Sequence, residues 1–223
     1  MKRGDAVIAS LLQSDPHYAS AFSAAFPSEA APGTQQNLIK AIAAFERTLI
    51  SGRSAFDRYV FDDDRTALSA SAKRGMALFF SDRAGCSNCH FGVNFAGPVA
   101  HRSAPKATAI FANNGSHDEK AGADRGLADV TRRDEDIGRF RVPTLRNIAL
   151  TAPYMHDGSM KTLEAVIDRY AAGPRRSDGR TDPRIDRSIR PLDLTAEDKQ
   201  ALVDFLRSLT DDEFVKRAHA RCE

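Results

Sequence analysis

A chain of 223 residues, 42% of them hydrophobic, is long enough for one or two small domains, each with a core of its own. Its 32 Lys and Arg nearly balance 30 Asp and Glu, and the net charge of +2 is spread along the chain, which removes the electrostatic case for nucleic acid or an anionic membrane surface. No apolar run is long enough to span a bilayer, and the absence of Trp excludes tryptophan chemistry within the chain.

Met1-Lys2-Arg3 has the basic start of an export signal. Asp5 interrupts it, however, and Ala6 to Leu12 is short for an apolar signal core without a small-residue cleavage site, so the start reads as helix. Residues 5–26 read as two short helices, the second opened by Asp15-Pro16. Ala31-Pro32-Gly33 breaks the pattern and Thr34 caps the next helix. There Leu38, Ile42, Phe45 and Leu49 recur at helical spacing and predict one buried face. Residues 54–61, with Phe56, Tyr59 and Val60, predict a short packed helix. Asp62-Asp63-Asp64 reads as a solvated turn; the carboxylates would suit a cation, but no further ligand pattern follows. Ser69 or Ser71 caps a helix with a buried stripe of Ala72, Met76, Phe79 and Phe80, expected to end at Gly85.

Cys86-Ser87-Asn88-Cys89-His90 follows at once and reads C-x-x-C-H, the attachment signature of c-type haem. Two thiols two residues apart on a tight turn can form thioethers to both vinyl groups of one porphyrin, and His90 is then held under the iron as a ligand. A zinc site would need about four ligands. The remaining cysteine, Cys222, lies at the far end with no paired histidine, and is left free or paired with another chain. A redox dithiol would sit in a βαβ pattern, which is absent. The single motif predicts one covalent haem c per chain.

Residues 91–141 read as a long loop that either wraps the haem edges or meets a partner domain. His101 and His117 within it read as solvated rather than as iron ligands. Phe140 to Tyr154 is extended, punctuated by Pro143 and Pro153. Thr162 caps a helix carrying Leu163, Val166, Ile167 and Tyr170 on one face, which Gly173-Pro174 ends. Residues 174–193, including Arg175-Arg176, read as polar loop. Thr195 to Asp198 resembles a capping box, and Ala201, Leu202, Phe205, Leu206 and Leu209 form the last buried stripe. No strand alternation or internal repeat is evident. The expected fold is all-α: a class I cytochrome c domain over 62–223 with a helical extension over 1–61.

The stretches LISGRSAFDRY, RGMALFFSDRAGCSNCH and FRVPTLRNIALTAPYMHDGSMKTLEAVIDRY resemble the bacterial di-haem cytochrome c peroxidase/MauG family, and are most similar to its MauG-like and methanobactin-associated branches. Together they cover most of residues 35–172, and residues 1–50 resemble the family's segment between its two haems. Family members carry two haem domains, and this sequence matches the second. The resemblance therefore implies a truncated member lacking the first haem domain, its acid–base residues and its bridging tryptophan, so catalytic residues are not assigned. It implies a haem held by Cys86 and Cys89, with His90 as proximal ligand and Tyr170 at the distal position where peroxidases place a methionine. From periodicity alone Tyr170 is a packed core tyrosine, and Met155 and Met160 are rival distal ligands. Thr151 and Pro153 match positions whose backbone carbonyls bind a calcium ion, and Arg146 is a candidate partner for a haem propionate. His156 and Asp157 read as holding the turn at Gly158. The implied function is peroxide-dependent one-electron oxidation of a protein donor or protein substrate, with this haem as electron relay and store of oxidising equivalents; the alternative is a non-enzymatic electron-transfer cytochrome. Haem c and family together imply a periplasmic protein.

Overall fold

The computed structural model describes residues 2–104, 106–116, 124–174 and 182–219. His117, Arg175-Arg176 and Cys222 lie outside them. The chain forms two compact units, one of Met1–Ile50 with Ala218–Glu223 and the other of Ser51–Arg217. It is helix-dominated, and no described helix is long and apolar enough to cross a membrane.

In the first unit, α1 (Lys2–Ser14) and α2 (Pro16–Ala25) meet at Asp15, whose carboxylate accepts from the amides of His17 at 2.8 Å and Tyr18 at 3.3 Å, with Pro16 opening α2. Thr34 caps α3 (Gln35–Glu46) through the Asn37 amide. The buried side of α3 departs from the expected stripe. Asn37 is its buried residue, donating to Glu29 and to the Pro32 carbonyl, while Ile42, Phe45 and Leu49 stand exposed. Periodicity identified an apolar face, but Leu38 of that stripe is only half-buried and the fully buried position is the neighbouring Asn37 with its polar network.

In the second unit, α4 (Ala55–Phe61) starts from a reciprocal capping box between Ser54 and Asp57. Sequence reading places α4 in the extension, yet Phe56 packs in the core of this unit. Asp62-Asp63-Asp64 is a turn: Asp63 pairs with Arg65, Asp64 accepts from Thr66, and the described residues hold no group of three or more acidic, His or Cys side chains suited to a metal ion. Helix α5 (Ala70–Phe79) is capped by Ser69. It stops well before Gly85, because Phe80 leaves helical geometry and the Ser81 hydroxyl turns back to the Leu78 carbonyl; a further turn delivers the chain to Cys86. The long loop contains β1 (Phe111–Ala112) and the short α6 (Ala128–Thr131), and β1 pairs antiparallel with β2 (Phe140–Arg141). Strands of two residues are too short to show alternation in sequence. Helix α7 (Leu163–Ala172) is capped by Thr162, and α8 (Ala196–Arg207) by the Thr195–Asp198 box. Helix α9 (Asp212–His219), not anticipated from sequence, follows.

The core is set by the crossing of α5 and α8. A Cβ on Gly75 would come within 1.8 Å of the Ala201 carbonyl oxygen and 2.9 Å of Phe205 Cβ, so only glycine permits this approach. Around it the rings of Phe56, Phe79, Phe95 and Phe205 meet at centroid distances of 5.0 to 6.3 Å, mostly edge to face. The α8 stripe of Ala201, Leu202, Phe205, Leu206 and Leu209 is buried as its spacing predicts. Buried Asp198 does more than cap α8: it also binds Arg74 of α5 and Arg83 of the turn after it, each at 2.6 Å.

A second anchor is the ion pair between Asp57 and Arg146, both almost fully buried. The guanidinium meets both carboxylate oxygens, at 2.8 and 3.0 Å, and its Nε donates to the Val93 carbonyl at 2.7 Å. Burial pushes the Asp57 carboxyl up, but hydrogen bonds from Arg146 and Ser54 outweigh it, and the net direction is down from 3.8.

Two stability changes follow. Gly75→Ala gains about 1 kcal/mol of helix propensity and should still lose about 3 kcal/mol of unfolding free energy to backbone displacement; unchanged stability in urea would disprove the close crossing. Asp57→Asn strands a buried guanidinium and should cost about 3–5 kcal/mol at neutral pH. A carboxyl whose folded pKa is depressed contributes stability above its unfolded value of 3.8 and loses it as pH falls further. The gap between this variant and the native chain should therefore narrow in acid, measured as midpoint against pH.

Candidate haem site

Gly85, at φ 63°, turns the chain into a 3-10 turn over Cys86–Asn88, and the amides of Cys89 and His90 both close onto the Cys86 carbonyl, at 3.3 and 3.0 Å. This local winding puts Cys86, Cys89 and His90 on the wall of one cavity of about 510 Å³. Burial pushes the Cys86 thiol up to about 11 and raises Cys89 as well. Reactive dithiols need the reverse shift, and the described residues offer no further ligands for zinc at this turn. The two sulfurs are unpaired thiols.

His90 Nδ1 lies 2.8 Å from the Phe95 carbonyl oxygen. A carbonyl only accepts, so Nδ1 carries the proton and Nε2 keeps its lone pair for a metal. Burial lowers the His90 pKa, against the raising effect of the Phe95 and Pro143 carbonyls, and so favours the neutral ring. Phe95 serves twice: its backbone, at φ 53°, offers the carbonyl to His90, and its ring packs in the core.

Two other elements supply a second donor to the cavity. Tyr170 reaches it from α7, together with Leu163, Val166 and Ile167, and its hydroxyl accepts from Asn114 Nδ2 at 3.0 Å. Burial raises the phenol pKa, against the lowering effect of that hydrogen bond. Met155 also lines the cavity, at φ 73°, with its sulfur 3.7 Å from the same Asn114 Nδ2. Both rivals thus share one neighbour. Met160 is not among the lining residues: its backbone pairs with Tyr154, and its side chain packs against the core.

Thr151 and Pro153 line the cavity too. His156 stacks on Phe140 with centroids 3.9 Å apart, and Asp157 accepts from the Ser159 amide to close the turn at Gly158. His101 forms a small backbone bridge with Ala104 and does not line the cavity.

Arg146 requires a correction. Its guanidinium is committed to Asp57 and the Val93 carbonyl and does not line the cavity, so a role opposite a propionate does not fit its position. Arg141 and Arg190 line the cavity instead; Arg190 is steadied by the Asp82 carbonyl at 2.8 Å. Sequence reading also missed Asn114 and Ser188 on the cavity wall. These residues sit in loops of mixed polar composition, where no periodicity marks one side chain over its neighbours.

The donor set fits a c-type haem. Two thiols and an imidazole share one turn, an oxygen and a sulfur donor come from other elements, and the walls are apolar side chains of α5, α7 and α8.

Comparison with known proteins agrees with this chemistry. A family model described as di-haem cytochrome c peroxidase matches residues 1–65. The methylamine utilization protein MauG of Methylorubrum extorquens is 35% identical over 202 residues, covering 89% of this chain and 50% of that protein. The cytochrome c551 peroxidase of Pseudomonas aeruginosa is 37% identical over 160 residues, covering 70% of this chain and 42% of that one. The chain thus spans about half the length of these curated relatives. Among solved structures, a MauG-like protein associated with microbial copper homeostasis superposes with a TM-score of 0.82 at 36% identity, over 96% of this chain and 64% of the other. With this likeness in sequence and fold, the chain belongs to the di-haem cytochrome c peroxidase/MauG family.

Proposed function

We propose that the second unit is a haem-c domain of class I cytochrome type, working within a peroxide-dependent one-electron oxidoreductase of the di-haem peroxidase/MauG kind. The observation that carries this reading is the convergence of Cys86, Cys89 and His90 with Tyr170 and Met155 on a single apolar-walled cavity. The close crossing of α5 and α8 at Gly75, on the helix that precedes the motif, supports the cytochrome architecture. When bound, a haem c supplies reversible one-electron chemistry at a potential set by its axial donors and the polarity around them. The chain's residues do the rest. Cys86 and Cys89 would hold the group by thioethers, and the Phe95 carbonyl fixes His90 in the tautomer that would ligate. Arg141 and Arg190 offer positive charge for carboxylates, and the apolar walls exclude water. Tyr170 is the proposed second axial donor. One haem per chain, a periplasmic location, a protein electron donor or substrate, and a calcium ion on the Thr151 and Pro153 carbonyls belong to the same proposal, as does a second haem domain as partner. A purely electron-transferring cytochrome is the second reading, favoured by the presence of Met155 in the cavity, because a thioether donor suits a high-potential carrier.

Two measurements test this. Acid–acetone treatment of the chain produced with a haem-attachment system should leave the colour on the protein, and a pyridine haemochrome assay should count one haem. Cys86→Ser should weaken retention, and free extraction from the native chain would disprove thioether attachment. In this reading His90 and Tyr170 would both be committed to holding the group, which would leave peroxide no open donor site. Turnover of reduced cytochrome c with peroxide by this chain alone should stay near background, whereas robust turnover would overturn the relay role.

A further inference from the structure

Asn114 contacts both candidates for the second axial position. Its Nδ2 is 3.0 Å from the Tyr170 oxygen and 3.7 Å from the Met155 sulfur. Which end of the amide faces them is fixed by the other end. Oδ1 accepts from the Ser116 backbone amide at 3.1 Å and the Ser116 hydroxyl at 2.6 Å, and a backbone N–H can only donate. The group presented to Tyr170 is therefore an N–H.

The segment that carries Asn114 is pinned on several sides. The neighbouring Asn113 is buried, donates to the Ile137 carbonyl and accepts from the Gly115 amide. Arg169, adjacent to Tyr170 on α7, donates to the Gly115 carbonyl at 2.8 Å. The same helix thus holds both the phenol and the loop that meets it.

We infer that Asn114 is a positioning residue that selects the Tyr170 oxygen over the Met155 sulfur as second axial donor. The inference rests on the reading above that His90 and Tyr170 ligate a haem in this cavity. A phenol oxygen that gives its proton to water and a lone pair to a metal is left with acceptor capacity only. An N–H at 3.0 Å satisfies that form, where a fixed acceptor would oppose it. A thioether is a weak acceptor and gains little from the same N–H. The hydrogen bond therefore favours oxygen ligation over sulfur, and with it a lower reduction potential.

The test uses the haem-loaded chain and reads the ferric spectrum and the reduction potential. Asn114→Asp keeps an acceptor for Ser116 and removes the donor; Asn114→Leu removes both and adds no new ligand. Each should raise the potential and bring in the red-edge charge-transfer band of thioether ligation, and the band should vanish when Met155→Leu is added. Tyr170→Phe separates the two ideas. If Tyr170→Phe leaves spectrum and potential unchanged, Tyr170 is not a ligand and the underlying reading fails. If Tyr170→Phe moves them but both Asn114 variants match the native chain, the selection role alone is wrong.

Discussion

The approach of α5 to α8 at Gly75 is the constraint from which the rest of the second unit follows. With no side chain at that position the two backbones can nearly touch, and Ala201 and Phe205 close over the gap. The end of α5 is thereby fixed against α8, and the turn that carries Cys86, Cys89 and His90 leaves α5 within a few residues. Asp198 reinforces the arrangement from the side, joining one arginine of α5 and one of the following turn to the first turn of α8. A carboxylate there is favoured by the helix dipole as well as by its two cationic partners. Packing and charge thus locate the same turn, and the cavity forms where α7 and the chain around β1 and β2 complete its walls.

Inside the cavity, shape and chemistry come from different kinds of structure. The helices contribute mainly apolar side chains, set by their periodicity. Most polar functions come from loop atoms held by other loop atoms: the Phe95 carbonyl behind His90, the Asn114 amide oriented by Ser116, and Arg190 steadied by the Asp82 carbonyl. Positive φ recurs at these places, in Gly85, Phe95 and Met155, where the chain must turn sharply to aim a group inward.

That division explains what the sequence could and could not disclose. The caps at Thr34, Ser69, Thr162 and Thr195 are local signals and were legible, as was C-x-x-C-H, because each depends on residues within a few positions of one another. The α8 stripe was legible because its apolar face meets a complete core. The α3 stripe misled because periodicity reports an apolar face but not whether anything covers it, and Asn37 with its polar network took the fully buried position. The extent of α5 was overestimated because nothing before Gly85 breaks a helix by composition; Phe80 and Ser81 end it through tertiary contacts. Arg146 was singled out for its motif, but any arginine can meet a carboxylate, and a buried aspartate in α4, far away in sequence, claims this one. Asn114, by contrast, has no sequence signal: its importance lies in which two side chains the fold brings to one nitrogen.

The buried pair of Asp57 and Arg146 has a consequence for the site even though it stands outside the cavity. Replacing such a pair with well-packed apolar residues is often neutral or favourable, so stability alone is a weak reason for it. Position is the better reason here. Arg146 reaches past Asp57 to hold the Val93 carbonyl, and the Thr144 hydroxyl holds the Asn94 carbonyl at 2.7 Å. The next residue is Phe95, whose carbonyl fixes the His90 tautomer. A guanidinium with a rigid planar fork sets distances and angles that aliphatic packing leaves loose. The ion pair therefore belongs to the geometry of His90: α4 grips Arg146, Arg146 and Thr144 grip the 93–94 backbone, and that backbone aims one oxygen at one ring nitrogen. Loss of the pair would act on His90 through its orientation, without any change in the residues that line the cavity.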